Sequence, residues 1–362
     1  MDNRNEKNQT VQKGILNRRG YDLWWQTFTG TGMKTGEEKT FFIACYVLNA
    51  QKGGDVPVFD AKNPAYVMIK AGVFGEGAKQ LHRFYGINEL ESAAEELRVV
   101  VGDFFLSETV LKGSVNVTEE QAVSHPEYKS DAGSMSWLLQ MNREVPYEAG
   151  YISAAPVSAL NAISSFHQAD GIRTQYSGTV HLDGERYLVR SETSFGYSGK
   201  TWGSEFMNPW IQLTASELWS RQTGEQLNNT AFDVTGCMKI LGLPASDNML
   251  GLVHYEGKEY EFNFSKLMTY PQAKYRCQEK ENNIVWHIRL ANTEGALEIK
   301  AVCPKSEMVK QRFCKPDGTW IENLWSGGTG RAELTLYRRV FGNLRPVDVM
   351  VAEKVSCMWA EA

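Results

Sequence analysis

Three observations predict an all-β chain. Apolar and polar residues alternate with a period of two along most of the β-rich runs, short turn signals separate those runs, and helix-like periodicity is scarce. Two antiparallel units of this kind form β-barrels or sandwiches, because closure removes exposed strand edges. A barrel of about eight strands can hold one small apolar ligand. With 362 residues the chain is long enough for two such domains joined by a short helix. Periodicity alone leaves open whether a barrel interior is a ligand cavity or a filled core.

Taken in order, the N-terminus from Met1 to Thr10 is polar, and residues 1–14 read as a disordered tail, not a signal peptide. An N-terminal β domain is expected over 15–205 and a C-terminal one over 206–362, with the boundary set to within about fifteen residues. Tyr21–Phe28 and Phe41–Leu48, joined through the turn Lys34–Lys39, form a hairpin with a longer loop. Pro156–His167 is the best helix signal. Pro156 suits a first turn, and Val157, Leu160, Ile163 and Phe166 recur every third residue as one apolar stripe. Thr179–Leu182 and Glu185–Val189 flank Asp183-Gly184, the signature of a tight hairpin. Tyr197-Ser-Gly-Lys-Thr-Trp-Gly203 then sets Lys200 and Trp202 among glycines, ahead of the aromatic strand Asn208–Thr214. That composition suits a tight corner where backbone passes close to something flat and apolar. Met249–Val253 turns through Glu256–Lys258 into Tyr260–Ser265, where aromatic and polar residues alternate over three periods. Val285–Leu290, Ala296–Val302 and Ala332–Tyr337 continue the series to roughly sixteen strands.

Composition narrows the function classes. The 38 basic and 43 acidic residues give a net charge of −5, with no basic excess to suggest nucleic acid or an anionic membrane. No run of eighteen apolar residues forms a membrane span. Cys45, Cys237, Cys277, Cys303, Cys314 and Cys357 are scattered without a Cys-x-x-Cys pair, so a zinc site is not expected and the thiols read as reduced core residues. The default compartment is the cytoplasm. Gly72-Val-Phe-Gly-Glu-Gly77 spaces three glycines but opens no helix, and there is no nucleophile elbow.

Read together, several segments resemble the tocopherol cyclase family, specifically its bacterial members, within a group of lipocalin-like two-domain proteins that includes carotenoid hydratases. The likeness is carried by Gly20-Tyr-Asp-Leu-Trp-Trp-Gln-Thr-Phe-Thr-Gly30 with the following Phe41-Phe-Ile43, His125-Pro-Glu127, Asp131–Trp137, Phe166-His167, Gly196-Tyr197, Lys200, Trp202-Gly203 and Pro209-Trp210. Glu256-Gly257, Tyr260–Lys266 and Leu324-Trp-Ser-Gly-Gly-Thr-Gly330 complete it, so it spans roughly residues 15–345. The resemblance implies two lipocalin-like domains with a pocket at or near their junction. It also implies cofactor-independent chemistry on an apolar isoprenoid- or polyene-like molecule. Three motifs depart from the family pattern. The central Asp-Lys-Asn-Trp-Gly reads Gly199-Lys200-Thr201-Trp202-Gly203, Gln26-Thr27 stand where His-Ser is usual, and Ser326 and Thr329 replace two Asn.

The implied chemistry protonates an alkene and captures the carbocation with a hydroxyl or water. It needs a placed acid, aromatic faces for the cation and a dry pocket. Candidate catalytic residues are His167, Glu192, Lys200 and Trp202. Glu192 inside a barrel would be a raised-pKa acid; in water it is only a strand charge. His167 could donate as imidazolium, or simply complement a helix C-terminus. Lys200 could anchor a carboxylate or phenolate, or be a surface lysine. Asp22 lies beside the first aromatic pair. Candidate substrate contacts are Tyr21, Trp24, Trp25, Tyr197, Asn208, Trp210 and Trp325, each of which could equally be core. Trp24 and Trp25 are adjacent on a strand and must point to opposite faces. Three functions stay open: a cyclase, isomerase or hydratase without cofactor or metal, a carrier that kept the pocket but lost the acid, and a structural protein with no small ligand. Oligomeric state is not set by the sequence.

Overall fold

The computed structural model describes residues 19–59, 62, 64–93, 96–148, 163–238 and 248–360. These residues divide into two compact units. The first takes the described residues up to Glu148, with Ser165–Phe206 and Gln311–Glu322. The second takes the described residues of Ala149–Ser164, Met207–Lys310 and Asn323–Ala362. The all-β expectation holds.

The first sheet contains β1 (Tyr21–Gly32), β2 (Glu38–Leu48), β3 (Tyr66–Phe74), β4 (Lys79–Tyr85), β5 (Glu91–Ser92), β6 (Arg98–Val101) and β7 (Phe104–Ser107). It continues with β8 (Val110–Val117), β9 (Gly133–Arg143), β10 (Tyr147–Glu148), β11 (Ser165–Leu182), β12 (Glu185–Val189) and β13 (Phe195–Gly203). The order β4-β3-β2-β1-β12-β11-β9-β8-β7-β6-β5 forms a closed barrel. Two strands share one place in it. Between β1 and β11, β12 pairs with Thr31–Gly32 and Gly178–Leu182, and β13 pairs with Tyr21–Thr27 and Ser165–Gln175. A single apolar cluster fills the barrel, with Trp24, Phe28, Phe104, Trp137 and Tyr176 among its large members.

The edge of β4 is covered by the segment after helix α1 (Glu119–Ser124). Asp131 N–H donates to the Gln80 carbonyl and His82 N–H to Ser130 Oγ, both at 2.9 Å. Pairing the edge in this way satisfies backbone groups that would otherwise invite aggregation.

Two local expectations are corrected. Residues 149–162 lie outside the described residues, but the end of the expected helix is extended chain, since Ser165–His167 opens β11 and pairs with β13. A threefold apolar spacing over one short run does not separate helix from strand. Tyr197–Gly203 is no corner either: it belongs to β13, paired on both edges. Its glycines serve close packing. A Cβ on Gly199 would sit 2.1 Å from the Tyr197 hydroxyl, and one on Gly196 1.8 Å from the Thr27 carbonyl oxygen.

The second sheet contains β14 (Trp210–Ala215), β15 (Leu218–Ser220), β16 (Gln226–Leu227), β17 (Thr230–Gly236), β18 (Leu250–Tyr255) and β19 (Lys258–Asn263). It continues with β20 (Gln272–Lys280), β21 (Asn283–Ala291), β22 (Gly295–Pro304), β23 (Val309–Cys314), β24 (Trp320–Val340) and β25 (Asn343–Ala360). Its order β19-β18-β17-β14-β25-β24-β22-β21-β20 makes a half-barrel around a core that includes Phe232, Phe262 and Trp286. Among the described residues, no helix is long and apolar enough to cross a membrane, and no cluster of three or more metal-ligating side chains exists.

Candidate functional site

Strand alternation divides the predicted residues between the two faces of the first sheet. On β1, Trp24 and Phe28 belong to the barrel core, so Asp22 and Gln26 share their inward face. Tyr21, Trp25 and Thr27 take the outward one. On β13, Lys200 stands directly across from Trp24, and Trp202 across from Asp22. The inward face therefore gathers Asp22, Trp24, Lys200 and Trp202 at one end of the barrel.

Lys200 and Asp22 form an ion pair, Nζ to Oδ1 2.6 Å, with both side chains 1% exposed. The ammonium lies 4.3 Å from the Trp24 ring and 5.4 Å from that of Trp202. Trp202 is half-buried and stacks on Phe166 with ring centres 5.5 Å apart. Burial pulls the Lys200 ammonium below the ordinary lysine range, and the Asp22 carboxylate opposes that pull. The same burial, with Asp22 adding to it, pushes the neighbouring Cys45 thiol well up. The inward polar set extends along the strands. Gln168 is registered opposite Lys200 and donates from Nε2 to Asp170 Oδ1 at 2.7 Å. The Tyr176 hydroxyl sits 2.7 Å from Gln26 Oε1 and 2.8 Å from the Tyr197 carbonyl oxygen.

His167 faces the other way. On the outward side its Nδ1 lies 3.3 Å from Thr201 Oγ1 and its Nε2 3.4 Å from the Tyr197 hydroxyl, and all three residues are buried. Trp25 is registered opposite Gly199 on the same side and stacks on Phe42 at 5.3 Å. Tyr21 stacks on Phe206 at 4.1 Å. The strand, not a helix end, positions His167, so a helix dipole has no part in its environment.

The remaining candidates lie elsewhere. Glu192 is exposed in the turn between β12 and β13; its carboxylate stands in water, and the interior acid expected there is absent. Asn208, Trp210 and Trp325 belong to the second unit. Trp210 is fully buried, and Trp325 is half-buried beneath the Lys305 ammonium at 4.6 Å. The sequence sets Asp22 beside the first aromatic pair without assigning it a role, and it does not point to Gln168, Asp170 or Tyr176. A signal for Asp22 existed: a carboxylate two residues before Trp24, in a strand otherwise apolar and aromatic, shares that tryptophan's face.

Chemically, the inward cluster joins an acid, a base and two indole faces in a setting with little water. Electrostatic interactions strengthen there.

The chain matches no protein-family model and no curated protein sequence. Among solved structures it is similar to a Nitrosomonas europaea protein described as a candidate AttH, with 13% identity, TM-score 0.48 and 92% of each chain covered. It is also similar to the kievitone hydratase of Nectria haematococca, with 8% identity and TM-score 0.47, covering 94% of this chain and 89% of that one.

Proposed function

We propose that the chain takes an apolar isoprenoid- or polyene-like small molecule at the aromatic end of the first barrel and acts on it without a cofactor, as a cyclase, isomerase or hydratase. The observation that carries this reading is the Asp22–Lys200 pair, buried under two tryptophans at the end of an apolar core. Taking two charges out of water costs several kcal/mol per ion, so such a pair is a poor device for stability. Perturbed titratable groups of this kind cluster at working sites.

In the proposed step the pair reacts from its neutral form, a protonated Asp22 beside an unprotonated Lys200. The Asp22 carboxyl adds its proton to one carbon of the alkene, leaving a tertiary carbocation and a carboxylate. Trp24 and Trp202 present π faces to the cation. A substrate hydroxyl or a water attacks the cation, and the proton it sheds goes to Lys200. Its transfer back to Asp22 restores the neutral pair, so protons and charge balance over the cycle.

A second reading has its own observation. The Lys200 ammonium already occupies the cation position over Trp24, 4.3 Å from the ring. That favours a carrier, whose Lys200 hydrogen-bonds a polar head of the ligand while the indoles hold its apolar body.

One experiment separates the two. Binding of a prenylated phenol or a polyene is followed by tryptophan fluorescence, and conversion by product analysis, for wild type, Asp22→Asn and Trp202→Phe. An enzyme converts the ligand and loses about 10²–10⁴ in rate with Asp22→Asn while still binding it. A carrier binds in wild type and Asp22→Asn and converts nothing in either. Quenching equal in wild type and Trp202→Phe, with no conversion, removes both readings of this site.

A further inference from the structure

One end of the second unit exposes apolar side chains that neither core packing nor local backbone preference explains. Three neighbouring turns meet there. Leu267–Thr269 is a short 3-10 turn before β20, residues 292–294 link β21 to β22, and residues 341–342 link β24 to β25. They are tied into one surface. Thr293 N–H donates to the Thr269 carbonyl at 2.9 Å, Arg339 N–H to the Glu294 carbonyl at 2.7 Å, and Asn292 Nδ2 to the Glu261 carbonyl at 2.8 Å. From this surface Phe341 stands 100% exposed, Met268 89%, Tyr270 74% and Leu267 72%.

The two aromatics also hold backbone conformations that bulky residues avoid. Tyr270 has φ 47° and Phe341 φ 50°, the left-handed region where Gly, Asn or Asp is usual. At a two-residue hairpin turn, Asn would relieve the strain and remove the exposed ring together. Cations neighbour the apolar tips in sequence, Arg338 and Arg345 on either side of Phe341 and Lys274 after Tyr270, while Glu294 is an exposed carboxylate of the middle turn. Arg338, Arg345 and Lys274 flank them and have no acidic partner among the described residues. Arg339 braces the hairpin through the Gly342 carbonyl at 2.9 Å. These cations stand out on a chain whose net charge is −5.

We infer that this end of the second unit docks on the surface of an anionic lipid bilayer, with Leu267, Met268, Tyr270 and Phe341 entering the headgroup–acyl boundary and Arg338, Arg345 and Lys274 facing the phosphates. Separate apolar tips on two of three adjoining turns suit a fluid interface that closes around each tip, whereas a protein partner is met by a continuous, flat, well-packed patch. Aromatic rings with basic neighbours are the side chains that favour this boundary. The inference stands without the proposed chemistry of the first unit.

The test is cosedimentation of the full chain with large vesicles of phosphatidylcholine alone and of phosphatidylcholine mixed with phosphatidylglycerol. Binding to the anionic vesicles is expected, weakening as salt rises. Phe341→Asn and Met268→Ser should each weaken it roughly tenfold, the lower end of what burying one large apolar side chain supplies. Arg345→Gln should weaken it about fivefold. Phe341→Asn suits its turn, so a lost response there does not report misfolding. Equal binding by wild type and all three variants overturns the proposal, as does no binding to anionic vesicles. Self-association abolished by Phe341→Asn, without vesicle binding, also overturns it and assigns the surface to a second copy of the chain.

Discussion

Replacing Lys200 by methionine tests whether the Asp22–Lys200 pair exists for stability or for chemistry. At 2.6 Å and an effective dielectric of about 20, the charges attract by about 6 kcal/mol. Desolvating them costs several kcal/mol each, which offsets most or all of that gain. Lys200→Met leaves the Asp22 carboxylate buried without its counter-ion and should cost about 3–5 kcal/mol. In thermal terms that is a fall of roughly 10 °C or more for a unit of this size. Asp22→Val/Lys200→Met removes both charges at similar volume. It forfeits the contact between ammonium and Trp24, about 1–2 kcal/mol, but leaves no stranded charge, so it should recover to within about 2 kcal/mol of wild type. The assay is urea unfolding followed by tryptophan fluorescence, since Trp24 and Trp202 report on the pair directly. A double variant as unstable as the single one would refute the reasoning and make the pair a structural element. Recovery of stability together with loss of turnover or ligand binding would tie the pair to function.

Three further outcomes follow from the same coordinates. Burial holds the pKa values of His82 and Lys70 well below their ordinary ranges, so the unfolded chain binds more protons below about pH 6.5 for His82 and below about pH 10.5 for Lys70. Stability should therefore rise with pH through both windows, and His82→Gln should flatten the acidic part of the profile measured by urea unfolding. Gly199→Asp should destabilise, because its Cβ meets the Tyr197 hydroxyl at 2.1 Å; Tyr197→Ala in the same chain should recover part of the loss, and an unchanged unfolding curve for Gly199→Asp alone would contradict this packing. Glu192→Gln should leave stability within about 0.5 kcal/mol of wild type, as for other exposed positions.

Much of the architecture was legible because period-two patterning and turn chemistry are local. Asp183-Gly184 marks the hairpin from β11 to β12 as expected, with Asp183 and Gly184 both at positive φ. What failed was what depends on partners distant in sequence. Phe166 and His167 look helical on their own, yet cross-strand pairing with Trp202 and Thr201 makes them β. The glycines of β13 suggest a turn, yet Gly196 answers to the Thr27 carbonyl of neighbouring β1 and Gly199 to the Tyr197 ring of its own strand. More strands are present than the sequence suggested, since pieces of two residues such as β5 and β10 are too short to show a period. At the candidate site, residue types were readable but facing was not. Lys200, Trp24 and Trp202 converge inward, whereas His167 and Tyr197 meet outward.

The short segment Gln311–Glu322 is far from the rest of the first unit in sequence, and it supplies partners to that unit's buried polar groups. Lys70 bonds to Gln311, the Tyr46 hydroxyl donates to the Cys314 carbonyl at 2.5 Å, and Asn49 Nδ2 donates to the Pro316 carbonyl at 3.1 Å. During synthesis the ribosome delivers the first thirteen strands long before that segment emerges. Until then the Tyr46 hydroxyl lacks its Cys314 acceptor, while Lys70 and Asn49 keep only Gln80 Oε1 and the Pro64 carbonyl. The barrel thus completes its polar contacts only after that segment emerges, and a gene fragment ending at Phe206 should be less soluble than the full chain, with co-expression of the remaining chain raising its yield.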